Sequence, residues 1–528
     1  MLPALATLFL LAPASLLLAT LFPSRPGPRR PHAMLLASRL ATWFCLVLAV
    51  LACLLTAWEG PATSGLLGDN GIGLSVRLDA ISCTMFLLVA FVGVVVVQYS
   101  RNYMDGEPRQ GAFMAGLCRT LAAVTLLVFA GNLVQLVVAW VAMSLSLHRL
   151  LVFYPERRPA RIAARKKFLA ARLGDACMLG AAALLVTTFG TTDLATVLAR
   201  AQAIAADAAP PALSLAALLL GVAALMKSAQ FPTHGWLPEV MDTPTPVSAL
   251  LHAGIINAGG FLLIRFADVM VLSMPTLHGV AIVGGFTALF GGVVMLTQTS
   301  VKGSLAFSTV AQMGFMTLQC GLGAFAIALL HLVAHSLYKA HAFLSAGGVV
   351  ETETLPRFAR PRLRPVLLSL LLATAIYVLF AWVFGTFVRA EPAVLTLGAI
   401  LVMGVSMLLA SSLQGATTSR LVVQTLLGAA GTTLAYFILE TAFTRLTAGS
   451  LPAIPRPDGT GLLIMGLAIA SFTAVTVLQS LVVLWNQRPL WRAARVHLAN
   501  GLYVNAIFNR LVGALRREDA RHHARTIA

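Results

Sequence analysis

Long runs of apolar residues without Asp, Glu, Lys or Arg recur along the chain. The first three occupy residues 2–22, 40–58 and 80–99. Each is about long enough to cross ~30 Å of hydrocarbon as an α-helix. Further apolar stretches bring the predicted number of membrane-spanning helices to about fifteen, and they fall near residues 112–130, 133–152, 168–190, 212–230, 245–267, 277–297, 303–323, 325–350, 365–388, 393–413, 421–444 and 460–485. The pattern predicts an all-α polytopic membrane protein.

Composition agrees with this interpretation. Of 528 residues, 59% are apolar and only 11% are charged, whereas charged residues make up ~25% of an average soluble protein. A soluble domain of this size needs more polar surface, so a water-soluble enzyme, a disordered chain and a nucleic-acid-binding protein are excluded. The net charge of +18 is therefore expected in the loops between membrane spans.

The basic residues are distributed unevenly between the two sets of loops. Loops that follow odd-numbered spans hold 25 of the 37 Lys and Arg residues, six of them in 153–167, and loops that follow even-numbered spans hold five. By the positive-inside rule this predicts a bacterial inner membrane protein whose N-terminus is outside and whose C-terminus is cytoplasmic.

The sequence contains no P-loop, no dinucleotide-binding fingerprint and no CxxC motif, so energy for transport is expected from an ion gradient or a partner. We predict no cofactor and no metal in this chain. The six cysteines are interpreted as small core residues rather than as disulfides or metal ligands: Cys45, Cys53, Cys83, Cys118, Cys177 and Cys320.

Ionisable residues at membrane depth are costly and are the first candidates for function. Lys227 follows about fifteen apolar residues, and several prolines that no continuous helix accommodates come directly after it. A broken helix beside a buried lysine resembles transporter sites, where unwound backbone lines a hydrated cavity. The alternative is a lysine that extends to the membrane surface. His252 lies one turn into the next span, on the same side of the membrane as the break.

A second group of ionisable residues lies in AIALLHLVAHSLYKAHAFLSAGGVV. His331, His335 and Lys339 are four residues apart, so they line one helix face over about 12 Å, and His341 is close by. Such a stripe is a candidate proton path, because histidine titrates near neutrality and a desolvated lysine can be brought toward it. Two alternatives stay open: a metal site, and core histidines bonded to backbone carbonyls.

The third group is Arg172 and Asp175, which can pair at positions i and i+3 of one helix face. Asp175 is the acid best placed to influence Lys227. A purely structural ion pair is the alternative.

These residues lie within motifs that resemble the proton-translocating antiporter-type family, which includes the large membrane subunits of respiratory complex I and the Mrp sodium/proton antiporters. The resemblance spans about residues 113–350 and rests on KSAQFPTHGWLPEVMDTPTPVSALLHAG, KGSLAFSTVAQMGFM and HLVAHSLYKAHAFLSAGG. It implies two inverted five-helix repeats with broken helices. It also implies ion-translocation roles for Lys227 and Lys339 as channel lysines, for Asp175 as their acid partner, and for the relay histidines His252, His331 and His335.

The sequence departs from the family pattern at two points. The family usually has an acidic residue after the tryptophan of the fifth helix, where this chain has Val141; His148 lies two turns further along the same face. The family also carries a lysine or glutamate on the broken helix of the second repeat, and 365–388 has none.

The shortened form, with HRLLVFYPERRPARIAARKKFLAARLGDACMLGAA, most resembles DabB, the membrane subunit of inorganic-carbon accumulation complexes. The resemblance implies a large cytoplasmic DabA-like partner with a zinc site like that of β-carbonic anhydrases, and cation flow, H+ rather than Na+, that energises CO2 hydration in that partner. Two other functions stay open: an ion-pumping subunit of a respiratory or Mrp-type complex, and a non-conducting membrane anchor.

The expected organisation is N-terminal helices (1–111), two antiporter-like repeats (112–267 and 268–413), C-terminal helices (414–487) and a basic tail (488–528). The tail has apolar residues at the spacing of one helix face: Val504, Ile507, Phe508, Leu511 and Leu515. It is expected either to lie on anionic lipid or to help bind the soluble partner.

Overall fold

The chain folds almost entirely into α-helices. The computed structural model describes residues 2–22, 31–346, 363–389, 391–413, 419–485 and 488–514. Twelve helices in these ranges are long and apolar enough to cross a membrane, which confirms the predicted all-α polytopic class.

The first part of the chain contains α1 (Leu2–Ala6), α2 (Leu11–Ala19), α3 (His32–Glu59), α4 (Ala80–Tyr103), α5 (Gln110–Val128), α6 (Leu133–Leu151), α7 (Arg158–Phe189), α8 (Leu194–Gln202), α9 (Pro211–Lys227), α10 (Trp236–Glu239), α11 (Thr245–Ala253), α12 (Ala258–Arg265) and α13 (Ala267–Met270). Four short strands lie between α3 and α4: β1 (Ala62–Thr63), β2 (Leu67–Asp69), β3 (Ile72–Leu74) and β4 (Arg77–Leu78). They form two antiparallel pairs, β1 with β4 and β2 with β3.

The second part contains α14 (Met274–Met295), α15 (Val301–Gly321), α16 (Phe325–Leu344), α17 (Leu363–Val383), α18 (Thr386–Arg389), α19 (Pro392–Leu413), α20 (Ser419–Thr447), α21 (Gly459–Trp485), α22 (Pro489–Ala499) and α23 (Val504–Ala514). Short 3-10 helices occur at Thr7–Leu10, Ala206–Ala208, Thr233–Gly235, Val240–Asp242, Ile255–Asn257 and Gly501–Tyr503.

A helix occupies each of the fifteen apolar stretches predicted from the sequence, and three of these stretches are not among the twelve spanning helices. The first is divided into α1, a 3-10 turn and α2, and α9 has only 17 residues. The third, α15, is not among the twelve spanning helices, since it carries Lys302 and many polar residues. A further stretch, 245–267, is interrupted between α11 and α12.

The connections between helices gather at two opposite ends of the helix bundle. At one end, which we call the hairpin face, the strands β1–β4 contact the turns near Ala130 and Asp193. At the other end, which we call the basic face, Tyr154 donates to Glu107 at 3.0 Å and Lys302 donates to Thr245 at 3.3 Å. The described loops named here therefore lie at two opposite ends of the bundle.

Helices α14 and α15 pack with their backbones nearly in contact. A Cβ atom on Gly314 would lie 2.4 Å from the Ala288 nitrogen, and a Cβ atom on Gly284 would lie 2.5 Å from the Leu318 nitrogen. Small residues at such crossings allow the close packing that holds helices together in a membrane, where helix association gains little from the hydrophobic effect.

A buried ion pair fastens two distant helices at the hairpin face. Arg265, at the end of α12, contacts both carboxylate oxygens of Asp79 at 2.5 and 3.1 Å, and Arg77 adds a contact of 2.8 Å. Asp79 also caps α4 through the Ser82 backbone N–H. Burial acts to raise the pKa of Asp79, but the two arginines hold it well below its ordinary value.

The C-terminal tail forms two helices, α22 and α23, separated by a break at Gly501–Tyr503. Asn505 of α23 accepts from Lys166 at 2.8 Å and donates to Glu239 at 2.5 Å. Within the predicted apolar face, Phe508 lies 5.8 Å from the Lys166 ammonium, but Ile507 is 58% exposed. Leu515 and the Leu511 side chain lie outside the described residues. The tail therefore packs on the basic face of its own chain, largely through a polar residue.

Candidate ion-translocation site

The helix that carries Lys227 stops at that residue, as the proline pattern predicts. Lys227 is the last residue of α9, and Ala229 follows with a positive φ of 50°. The chain then runs through the cis Phe231–Pro232 bond, the Thr233–Gly235 turn and α10 before α11 begins. This irregular segment leaves backbone polar groups near the membrane interior, which is tolerated where they are buried in protein or line a hydrated cavity.

Lys227 is buried between α6, α7 and α9. Its Nζ lies 4.2 Å from the Trp140 ring centroid, a cation–π distance. A Cβ atom on Gly174 would lie 3.3 Å from the Met226 side chain, so α7 approaches α9 closely here and brings the neighbouring Asp175 toward Lys227. The Lys227 ammonium finds no hydrogen-bond partner among the described residues.

The predicted pair of Arg172 and Asp175 is present, with a guanidinium nitrogen 2.6 Å from a carboxylate oxygen. Arg172 also lies 3.4 Å from the Ser144 hydroxyl of α6. His148 lies one turn after Ser144, where its ring packs on Phe168 with centroids 5.3 Å apart. The structure thus places His148 toward the basic face, at the border of this group rather than beside Lys227.

Lys167 belongs to the same group, and sequence reasoning missed it. Its buried ammonium donates to the Ser144 carbonyl at 2.7 Å and contacts the Ser144 hydroxyl at 3.1 Å. We counted Lys166 and Lys167 as loop residues, which is wrong because α7 begins at Arg158. The separation of eight residues between Lys167 and Asp175 placed both on one helix face and was the available signal. The group Ser144, Lys167, Arg172, Asp175 and Lys227 is called the Lys227 cluster.

The structure brings His331, His335 and Lys339 together along α16, facing α11 and α15. The rings of His331 and His335 have centroids 6.1 Å apart, and His335 Nε2 lies 3.3 Å from the His252 carbonyl oxygen. The Lys339 ammonium donates to the Leu305 carbonyl at 3.0 Å. By contrast, His341 is exposed and does not join this group.

Two polar side chains from α15 complete the group. Thr309 lies 3.0 Å from His252 Nδ1, and Gln319 lies 3.0 Å from His331 Nδ1. Neither was predicted, because a single Thr or Gln in a helix gives no periodic signal. The residues His252, Thr309, Gln319, His331, His335 and Lys339 form what we call the Lys339 cluster.

Two hydrogen bonds lie in the middle of the bundle, between the two clusters. Ser228, which follows Lys227, donates to the Ile256 carbonyl at 3.2 Å. The next residue, Asn257, donates to the Ser336 hydroxyl at 2.6 Å, and Ser336 lies beside His335 on α16. Gly259 permits this arrangement, since a Cβ atom there would lie 2.2 Å from the Ser228 hydroxyl. Polar side chains thus occupy the space between the two clusters, next in sequence to Lys227 and to His335.

Comparisons with known proteins identify the class to which this arrangement belongs. Residues 130–360 match the family described as NADH:quinone oxidoreductase/Mrp antiporter, transmembrane. Residues 67–114 match the N-terminal region of complex I chain 5. Both clusters therefore lie entirely within the first matched region.

One relative aligns along nearly the whole chain. The chain is 35% identical to the probable inorganic carbon transporter subunit DabB2 of Halothiobacillus neapolitanus, over 96% of this chain and 93% of that protein. The chain belongs to the DabB family. A second member, the probable DabB of Hydrogenovibrio crunogenus, is 48% identical over 54% of this chain and 55% of that protein's length.

The fold of this DabB-family chain is also that of a solved antiporter complex. A chain in the structure of the Mrp complex from Dietzia sp. DQ12-45-1b superposes with a TM-score of 0.63 and 25% identity, over 99% of this chain and 62% of that chain. The similarity in fold extends through the C-terminal helices, which the two family models leave unmatched.

A pocket of about 670 Å³ opens at the basic face of this DabB-family chain, below the Lys339 cluster. Tyr103, Tyr154, Arg157, Thr243 and Lys302 line it. Burial and the hydrogen bond to Glu107 raise the pKa of Tyr154 to about 12, so its hydroxyl stays protonated at neutral pH. Lys302 lies one turn before Leu305, whose carbonyl holds Lys339. The pocket therefore brings solvent within about a helical turn of the cluster.

Proposed function

We propose that this chain is the ion-conducting membrane subunit of a two-component inorganic-carbon accumulation complex. The observation that carries the proposal is the pair of buried lysines, Lys227 and Lys339, each within its own cluster of polar groups inside a DabB-family fold. Buried ammonium groups at membrane depth are costly, and they are retained where an ion or a proton passes.

The conducted ion in this proposal is H+. The Lys339 cluster consists of imidazoles, a lysine, a hydroxyl and an amide, which exchange or relay protons readily. Among the described residues it contains no carboxylate, whereas a Na+ site normally gathers several oxygen ligands. Within this proposal the basic face is cytoplasmic and the hairpin face is external, following the positive-inside rule in a bacterial inner membrane.

Catalysis is expected in a partner rather than in this chain. By the family resemblance, the partner is a large cytoplasmic DabA-like subunit whose zinc site hydrates CO2 to bicarbonate, with the ion flow through this chain making the reaction vectorial. The zinc belongs to that partner.

The test of conduction uses Lys227→Ala and Lys339→Ala, each in the full chain with its partner, in cells that lack other carbon uptake systems. Both variants should abolish carbon accumulation while insertion and assembly persist. Arg39→Ala, which removes an exposed cation from α3, is the matched control and should behave as wild type. A protonophore should also stop uptake. Growth at ambient CO2 in both lysine variants would contradict the proposal, and arrest by sodium depletion alone would reassign the ion.

A second candidate is an ion-pumping subunit of a respiratory or Mrp-type complex, because the matched family models and the Mrp structure describe such subunits. A third is a non-conducting membrane anchor. Co-purification separates them: one large zinc-containing partner supports carbon accumulation, and many respiratory subunits support the second candidate.

Truncation after Gln487 tests whether α22 and α23 help to bind the partner. If the truncated chain co-purifies with its partner at unchanged stoichiometry, the tail contacts only its own chain and the lipid surface.

A further inference from the structure

An acidic side chain is buried in the C-terminal helices, away from both clusters. Glu440 lies on α20 and is 8% exposed, among buried positions Ala429, Thr433, Phe437 and Thr447 on the same helix face. The sequence analysis found no ionisable residue on 365–388 and did not consider α20. A carboxyl group at this depth is costly to place and points to function.

Two phenol groups accompany this carboxyl group. Tyr436 precedes Glu440 by one helical turn on α20, and Tyr377 of α17 packs on Phe437 with ring centroids 5.4 Å apart. The hydroxyls of both tyrosines are buried without a hydrogen-bond partner among the described residues. Thr444, one turn further along α20, donates to a Glu440 carboxylate oxygen at 3.4 Å. Glu440 thus contacts one threonine hydroxyl and shares this part of the bundle with two buried phenol groups.

Several helices are interrupted in the described residues, and these groups flank a second such interruption, in addition to the one that follows α9. Helix α17 ends at Val383, and Gly385 has a positive φ of 68° before α18 begins. Phe384, at this interruption, packs against Phe437 with ring centroids 5.5 Å apart. The first interruption has its own ionisable residue, Lys227. At the second, the neighbouring helix supplies the ionisable residue that α17 lacks.

The site lies toward the hairpin face, opposite the end at which α9 is interrupted. Glu440 is seven residues before the end of α20, or about 10 Å along the helix axis. His331 is six residues after the start of α16, at a similar depth from the same face. Since α16 packs against α20, an ionisable group on α20 lies on the helix next to the one that carries the Lys339 cluster.

We propose that Glu440, with Tyr377 and Tyr436, forms a proton-binding site on the hairpin-face side of the ion path. Binding forms one O–H bond on the carboxylate, with a proton that enters from water at that face, and release reverses the step. The proposal rests on the proposed ion conduction and extends it to the C-terminal helices.

Among the described side chains, Tyr377 lies on the neighbouring α17 and Tyr436 on the same helix as Glu440, while the described residues of α19 include no titratable side chain. His331, His335 and Lys339 of α16 face α11 and α15. Arg445 and α4 residues such as Cys83 line a different, apolar pocket on the other side of α20.

The first test labels the carboxyl group directly. A hydrophobic carbodiimide adds to protonated carboxyl groups in apolar surroundings, and the acyl group then migrates to nitrogen to leave a stable N-acylurea. In membranes that contain the full chain, mass spectrometry should find this adduct on Glu440, more at acidic than at alkaline pH. No adduct on Glu440 at any pH, with other carboxyl groups of the same preparation modified, would overturn the proposal.

The second test measures ion-driven carbon uptake of the complex. Glu440→Gln should lower uptake more than tenfold, Glu440→Asp should retain part of it, and Tyr436→Phe should lower it two- to threefold, with assembly of each variant checked. Wild-type uptake in Glu440→Gln overturns the inference. If Lys227→Ala abolishes uptake in the same experiment, that result leaves the proposed function standing and rejects only the Glu440 site. If Lys227→Ala is also without effect, both fail.

Discussion

The two buried lysines lie in different chemical surroundings. Lys227 ends an interrupted helix and lies among charges, with Asp175 paired to Arg172 and with Lys167 bonded to Ser144. Lys339 lies within a continuous helix and donates to the Leu305 carbonyl, among imidazoles and uncharged side chains. The same residue type thus belongs to a charge-balanced group at one position and to a neutral hydrogen-bonded chain at the other.

This difference indicates different roles for the two ends. At Lys227, adding or removing a proton changes the balance between one acid and three cations, so electrostatic interactions control its state. At Lys339, a proton can move to a neighbouring imidazole with little change in the charge nearby. We infer that the Lys227 cluster sets when a proton moves and that the Lys339 cluster provides the route.

The largest expected effect comes from replacing each lysine by arginine, which keeps the charge but cannot release a proton in a protein. Both Lys227→Arg and Lys339→Arg should lower ion-driven uptake by roughly 100-fold or more, as proton-transferring groups typically contribute 10²–10⁴-fold. Uptake assays in cells check this, with Arg39→Ala as the control. Near-normal uptake in either arginine variant would mean that the lysine there provides charge only.

A smaller effect is expected from Asp175→Asn, which leaves Arg172, Lys167 and Lys227 without their acid. A change of one pKa unit corresponds to about 1.4 kcal/mol, or tenfold, so uptake should fall about tenfold. The double variant Arg172→Gln with Asp175→Asn removes one charge of each sign and should recover part of the activity. If the double variant is as impaired as Asp175→Asn or worse, charge balance is not what Asp175 provides.

The route at the other end predicts a different response. His335→Gln keeps a hydrogen-bonding side chain near the His252 carbonyl but cannot take up a proton, so uptake should fall by about tenfold or somewhat less. Thr309→Val loosens His252 without removing a titratable group, and a two- to threefold decrease is expected from the loss of one hydrogen bond. Uptake measured side by side provides the check, and a larger loss in Thr309→Val than in His335→Gln would contradict the relay.

Much of this arrangement follows from local sequence. Apolar stretches gave the position of every long helix, because lipid requires each span to satisfy its own backbone. The prolines after Lys227 predicted its helix end, and the spacing of four residues predicted the stripe of His331, His335 and Lys339. The i, i+3 relation likewise predicted the pair of Arg172 and Asp175.

What sequence reasoning missed depends on contacts between distant segments. Lys167 was assigned to a loop because its basic neighbours obscured the start of α7. Nothing in the local sequence around Arg265 indicates its partner Asp79, which is 186 residues away. Conversely, His341 was a candidate because it is close to the stripe in sequence, but it is exposed and lies outside the group. Only the packing of helices decides such cases.

The smallest expected effect concerns what holds the interrupted segment after Lys227, which has no counterpart near Lys339. Lys166 is fully buried and contacts Glu239 of α10 at 2.6 Å, and Asn505 bonds to both. Asn505→Ala removes an uncharged side chain and leaves the Lys166–Glu239 ion pair in place, so the free energy of unfolding should fall by about 1.5 kcal/mol, while uptake falls less than threefold. Lys166→Met leaves Glu239 without its cation and should lower the free energy of unfolding further, on the order of 2–3 kcal/mol for this partly exposed pair.

Thermal unfolding of the purified chain compares the two variants with Ile507→Ser, which alters an exposed residue of α23 and should change the stability little. Equal destabilisation by all three would mean that α23 packs through its apolar side chains, and that the segment after Lys227 is held by other contacts.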